Sequence, residues 1–279
     1  VGLLSLGSGV LVTARRDEPF SASKIYLTRF DSSGTLASET EIGTTGRYVI
    51  SPVYRDGRFA IGLGGSSGYG RIDFSLYTSE GAEWTRARGL DGTAQPFQLA
   101  LDSSGGVHVG HAVYREQYGN WWHSLHYNGP DGTDVALAWK TSTTARRVDL
   151  RIDAEDTVHI VHTEHETNDN VYGTIAPGAN ELTVEHQFDL YRAMALDPRR
   201  SAVILHWPSY DLRHVIQALR PHDDFSPVRV VQGSEEGYIP QALIEIDEAG
   251  RYHILFVYGR PQGTDEPWLY TLHHGVVCP

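Results

Sequence analysis

Four stretches of this chain carry nearly the same pattern. FQLALDSSGGVHVGHAVY at 97–114, VDLRIDAEDTVHIVHTEH at 148–165, RAMALDPRRSAVILHW at 192–207 and ALIEIDEAGRYHILFVY at 242–258 each run from an apolar strand through a polar turn into a second apolar strand. A repeat of this kind constrains the fold more than any other feature, because one unit buries its apolar face only against a neighbouring unit. Anchored on the turn glycine or the residue in its place, the unit recurs near Gly9, Gly57, Gly105, Asp156, Arg200 and Gly250, about 44–51 residues apart. That spacing is close to one four-stranded propeller blade.

The third repeat shows the four strands most clearly, as FQLALD (97–102), GVHVGHAV (106–113), WWHSLHY (121–127) and TDVALAW (133–139). Between them lie SSGG, EQYGN and NGPDG, rich in residues that turns demand. The other repeats follow the same order, and no segment sustains a capped 3.6-residue apolar period. LRHVIQAL at 212–219 has the best local helix pattern, but its place as a third strand outweighs it. The expected fold is all-β: a β-propeller of six four-stranded blades in one domain spanning 1–279. The blades fall at about 1–46, 47–93, 94–144, 145–189, 190–236 and 237–279. The sixth repeat shows only three strands, so VGLLSLG at the start or GVVCP at the end is the candidate for closing it.

A chain of 279 residues with 29 glycines, 15 tyrosines and 6 tryptophans suits a turn-rich β protein with a sizeable core. The formal net charge of −12 argues against nucleic acid or an anionic membrane as the main partner. No apolar run is long enough to span a bilayer, and no signal peptide is visible. The single cysteine, Cys278, excludes an internal disulfide and any multi-cysteine zinc site.

Histidine is frequent, with 14 in the chain, and the repeat sorts many of them. His108, His159 and His253 stand early in the second strand; His111, His162 and His206 stand late. Residues three apart on a strand point to opposite sides, so the HxxH of each unit is not a chelating pair. The early set reads as structural, each imidazole bonding a turn aspartate or a backbone carbonyl. The late set, carried by three consecutive blades, reads either as repeated structural use or as imidazoles around the mouth of the channel.

Loops on the late-histidine side supply further chemistry. Tyr114, Arg115, Tyr210, Tyr258 and Arg260 follow second strands, and Arg47, Tyr48, Arg147, Tyr191, Arg192 and Tyr238 fall between blades. The expected catalytic set is His111, His162, His206, Tyr114, Arg115, Tyr191 and Arg192. The expected substrate-binding set is Arg47, Tyr48, Arg147, Tyr210, Tyr238, Tyr258 and Arg260. A variant places a divalent metal, such as zinc or calcium, among His111, His162 and His206. GGSSG at 64–68 matches G-x-S-x-G formally but lacks the strand–turn–helix setting of a nucleophile elbow.

YTSEGAEW at 77–84 resembles the Asp-box of sialidases, keeping Gly81 and Trp84 with Ser79 where the aspartate belongs. The D-x-x-G-x-x-H unit resembles the repeats of secreted bacterial propellers, including polysaccharide lyases of the ulvan-degrading kind. The resemblance implies a secreted, carbohydrate-active propeller, with a His/Tyr base–acid pair and an arginine that offsets a uronate carboxylate. A monomer in an extracellular or periplasmic location is expected. The loops diverge from blade to blade, which fits one composite site for a glycan or small molecule. The alternatives are a non-catalytic glycan-binding or scaffold propeller and a metal-dependent enzyme.

Overall fold

The computed structural model describes residues 2–5, 9–16, 23–31, 33–45, 48–49, 53–55, 58–64, 72–78, 85–90, 93–117, 120–141, 148–163, 169–188, 190–197, 202–209, 211–220, 227–261 and 268–278. These residues form strands and turns and no helix, so no helix is long and apolar enough to cross a membrane. The chain divides into two compact units, Val1–Ile152 and Asp153–Pro279.

The strands group into six antiparallel sheets taken in chain order. The first holds β1 (Gly2–Ser5), β2 (Gly9–Arg16), β3 (Ser23–Asp31) and β4 (Leu36–Thr45). The second holds β5 (Tyr48–Val49), β6 (Val53–Arg55), β7 (Arg58–Gly64), β8 (Ile72–Thr78) and β9 (Thr85–Leu90). The third runs β10 (Thr93–Leu101), β11 (Val107–Gln117), β12 (Asn120–Asn128) and β13 (Asp134–Thr141). The fourth runs β14 (Val148–Ile152), β15 (Val158–Thr163), β16 (Asn170–Ile175) and β17 (Thr183–Phe188). The fifth runs β18 (Tyr191–Leu196), β19 (Ala202–His206), β20 (Val215–Leu219) and β21 (Val228–Gln232). The sixth has β22 (Tyr238–Ile246), β23 (Tyr252–Arg260) and β24 (Leu269–Val277).

The first strand of the second repeat, expected as 48–54, is described at β5 and β6, and both pair with β7. Two details depart from the sequence reading. LRHVIQAL is strand only from Val215, its first residues forming a turn. Among the described residues neither closing candidate supplies the sixth sheet with a fourth strand. Gly2–Ser5 pairs with β2, and Gly275–Val277 is the end of β24.

The repeated turn shows why its sequence recurs. In the third, fourth and sixth sheets the aspartate opening the turn accepts backbone N–H groups through Oδ1. Asp102 binds the N–H of Gly106 at 2.7 Å, Asp153 those of Glu155 and Thr157 at 2.9 and 2.8 Å, and Asp247 those of Ala249 and Arg251 at 3.0 and 2.9 Å. The fourth turn residue takes a left-handed φ, at Gly105 (85°), Asp156 (64°) and Gly250 (78°). Glycine adopts that conformation freely, and aspartate is among the few other residues that tolerate it.

The second oxygen, Oδ2, faces the early histidine at 3.2 Å for His108, 3.3 Å for His159 and 3.1 Å for His253. In two sheets the imidazole's other nitrogen meets a tyrosine hydroxyl, Tyr127 at 2.7 Å and Tyr172 at 2.8 Å. A neutral ring satisfies both neighbours at once, donating from Nε2–H to the carboxylate and accepting the phenol at Nδ1. The early set is therefore structural, tying the turn to the third strand. The fifth sheet keeps Asp197 but has Val203 in the histidine's place; Arg220 stands 3.9 Å from that carboxylate and donates from Nε to Tyr252 Oη at 2.7 Å.

β15 and most of β14 and β16 are buried, whereas the outer strand β17 is largely exposed. In unit 1, Leu99, Leu101, Val109, Leu125, Val148 and Leu150 are buried. A Cβ at Gly110 would collide with Val148, so glycine here admits β14 against β11. In unit 2, Val161, Tyr172, Phe188, Met194, Ile204 and Leu219 form one cluster, and Val203, Leu205, Trp207, Ile239, Ile244 and Ile254 form another. Alternate residues of β19 thus serve opposite sides, as period-two geometry requires.

Replacing Tyr172 with Phe leaves His159 Nδ1 buried without its phenol. A loss of about 1–3 kcal/mol is expected in urea unfolding, against about half as much or less for Ser33→Ala in the exposed turn. Turn bonds hold the Asp102 and Asp247 carboxyls below the ordinary range. At Asp102 burial pushes upward and bonds from Ser104, Gly106 and His108 outweigh it, whereas at Asp247 the Arg251 N–H leads. A depressed folded-state pKa gives stability that is present above about pH 4 and lost as pH falls through the folded value. The melting temperature should drop below about pH 4, and Asp102→Asn should flatten that drop.

Candidate functional site

The late histidines lie inside the sheets. His111 is 3 % exposed, and its Nε2 donates to Asn128 Oδ1 at 2.5 Å. Its ring lies 5.8 Å from that of His126, which accepts from Ser124 at 2.8 Å and donates to Asp134 at 2.9 Å. His111 therefore belongs to a buried polar cluster spanning three strands. His206 donates from Nδ1 to the Trp207 carbonyl at 3.0 Å and meets the Phe188 ring edge-on at 6.2 Å. Burial pushes its pKa below the ordinary value, with His186 adding to the effect. His162, also 3 % exposed, has neither ring nitrogen hydrogen-bonded among the described residues, and burial lowers its pKa to about 4. It is a neutral imidazole at physiological pH.

Tyr191 is buried and pairs across the strands with His206. The Arg192 guanidinium stacks over Trp207, 3.2 Å from the ring centroid, and donates to the Tyr191 carbonyl at 3.0 Å. Tyr114 and Arg115 lie on β11 opposite His123 and Trp122, and Tyr48 lies on β5, but their side chains fall outside the described residues. Arg47, Arg147 and Tyr210 also fall outside them, as do GGSSG beyond Gly64 and the Asp-box from Ser79 on. Among the described residues no three His, Cys, Asp or Glu side chains come together to hold a metal, and the late histidines make no such group.

A different set of residues does come together. In unit 2 a cleft of about 500 Å³ is lined by Asp211, Arg213, Glu235, Glu236, Gly237, Tyr238 and Trp268. Asp211 and Arg213 come from the turn before β20, Glu235–Gly237 from the connection before β22, and Trp268 from the position just before β24. Tyr238 and Trp268 meet edge to face at 5.0 Å, and the Arg213 guanidinium lies 5.9 Å from the Tyr238 centroid. Tyr238 is held by Tyr270, hydroxyl to hydroxyl at 2.8 Å, a bond that raises the Tyr238 pKa.

The backbone around the cleft is pinned from both sides. Ile239 N–H donates to the Arg213 carbonyl at 2.8 Å, and Trp207 Nε1–H donates to the Ile239 carbonyl at 3.1 Å. Tyr258 lies beneath the 234–237 turn with its hydroxyl 2.6 Å from Ser234 Oγ, and a Cβ at Gly237 would collide with it. Asp211, Glu235 and Glu236 are exposed and form no ion pair among the described residues. The cleft thus offers aromatic surface, free carboxylate acceptors and one guanidinium donor on a fixed frame.

Of the residues expected from sequence, Tyr238 lines this cleft, Tyr258 supports it, and Arg260 is exposed at the end of β23. Asp211, Glu235, Glu236 and Trp268 were not anticipated. The readable signals were GSEEGY between repeats and a tryptophan closing the loop GRPQGTDEPW.

No protein-family model and no curated protein matches the chain. Solved structures do. The propeller domain of the trilobed protease from Pyrococcus furiosus, described as having an open velcro topology, superposes with a TM-score of 0.56 at 11% identity, over 96% of this chain and 75% of that one. The fold is a β-propeller. A protein of unknown function from Dyadobacter fermentans matches with a TM-score of 0.55 at 11% identity, over 99% of this chain and 92% of that one. TolB from Acinetobacter baumannii matches at 0.52 and 10%, over 90% and 61%. At these identities the likeness shows architecture alone.

The neutral state of His162 gives a direct test. Its resonances should stay constant from pH 8 to 5 in a histidine NMR titration and move near pH 4. Because the unfolded chain takes up this proton near 6.5 and the folded chain near 4, stability should fall by about 3 kcal/mol between those values as pH drops. His162→Leu should remove that part of the slope.

Proposed function

We propose that this protein is an extracellular or periplasmic, carbohydrate-binding propeller of six blades, with the Asp211–Trp268 cleft as its sugar site. Six consecutive sheets support the blade count. The observation that carries the functional reading is the meeting, in one cleft, of the Tyr238–Trp268 pair with free carboxylates and Arg213. Sugars present apolar ring faces and rims of hydroxyls. Such ligands match aromatic surface flanked by a few fixed polar groups. Trp268 is 43% exposed and Tyr270 51%, a cost in water that a covering ligand would offset.

An enzyme eliminating across an acidic polysaccharide is the second reading, favoured by one observation. His162 is buried with neither ring nitrogen hydrogen-bonded among the described residues, which leaves an unprotonated imidazole near neutral pH, though a pKa of about 4 makes it a weak base. Its burial, and that of His111 and Tyr191, lends more support to binding than to turnover.

Titration of neutral and charged oligosaccharides against the whole chain should reveal a binder whose affinity falls about tenfold or more in Trp268→Ala and Tyr238→Ala. His111→Ala should leave that affinity within about twofold. Unchanged binding in both aromatic variants would falsify the cleft assignment. New ultraviolet absorbance on incubation with a uronate polymer would instead favour elimination.

A further inference from the structure

The cleft faces its ligand with unequal charge. Among the described residues, Asp211, Glu235 and Glu236 stand against a single guanidinium, in a chain whose formal net charge is −12. Arg213 is itself drawn toward the Tyr238 ring, 5.9 Å from its centroid, so its charge is partly engaged within the protein. A uronate placed here would meet three carboxylates; an ammonium would meet the same three as partners. Aromatic faces add to this preference, because their quadrupole attracts cations and repels anions. Tyr238 and Trp268 are edge to face at 5.0 Å, an arrangement that does not stack one ring face on the other.

We infer that the cleft takes a glycan bearing free amino groups, a polymer of deacylated amino sugar, in preference to neutral or uronate chains. This rests on the sugar-site reading above. In such a complex the sugar ring lies on the aromatic surface, its ammonium is set among Glu235, Glu236 and Asp211, and Arg213 donates to ring or hydroxyl oxygens. Exposed ion pairs each contribute modestly, so selectivity comes from several carboxylates acting on one ligand charge.

Calorimetric titration of the intact chain with a glucosamine oligosaccharide, its N-acetylated counterpart of equal length and a galacturonate oligosaccharide tests this directly. The free-amine oligomer should bind at least about tenfold tighter than either of the others. Raising the salt concentration should weaken it, and the Glu235→Gln/Glu236→Gln double variant should weaken it about fivefold or more while leaving the N-acetylated oligomer unaffected. Equal or tighter binding of the N-acetylated or galacturonate oligomer, lost in Trp268→Ala, would overturn the charge preference and leave the sugar site standing. Binding of none of the three would overturn both.

Discussion

An aspartate side chain has two oxygens, and the recurring turn of this protein uses them for different tasks. At Asp153, Oδ1 gathers the N–H groups of Glu155 and Thr157, which shapes the hairpin, while Oδ2 takes His159, which in turn meets Tyr172 on the next strand. Turn geometry and strand register are thereby fixed by one carboxylate. The register matters because a slip of one residue would exchange the two faces of a strand. In β15 that exchange would move His159 off its tyrosine and turn Val161 out of the cluster it shares with Met194 and Ile204. The same constraint decides which side the late histidines occupy.

The partners of the turn aspartate vary between sheets. The sixth sheet keeps Asp247 and His253 but replaces the tyrosine with His274, whose ring stacks on His253 at 5.7 Å. The fifth keeps the aspartate and gives up the histidine, and a cation from the third strand's end, Arg220, approaches it instead. In the first sheet an equivalent turn at Asp31–Thr35 joins β3 to β4 rather than β1 to β2. From the third to the sixth sheet an aspartate stands at the same position, while the second partner of its carboxylate changes.

Repetition made the fold legible and hid the candidate site. Strand order, the polar turns and the structural role of His108 and His159 were readable because each was written more than once. The late histidines were ambiguous because their partners are not periodic. Asn128, Ser124 and Asp134 surround only the third-sheet group, and nothing in the spacing of His111 announces them. The cleft was harder still. Asp211, Glu235, Glu236 and Trp268 are single residues in loops that differ from every other repeat, and only the fold brings 211 beside 268.

Each of the six sheets is one unbroken run of chain, with no strand exchanged between distant segments among the described residues. A protein made this way can be lengthened or shortened by whole modules. Duplication or loss of about 48 residues would add or remove a complete sheet without rethreading its neighbours. It also suits synthesis from one end, since every hairpin has both halves in hand shortly after its turn emerges. The loops that distinguish one module from the next are then free to diverge, and a ligand site confined to two adjacent modules can arise without disturbing the others.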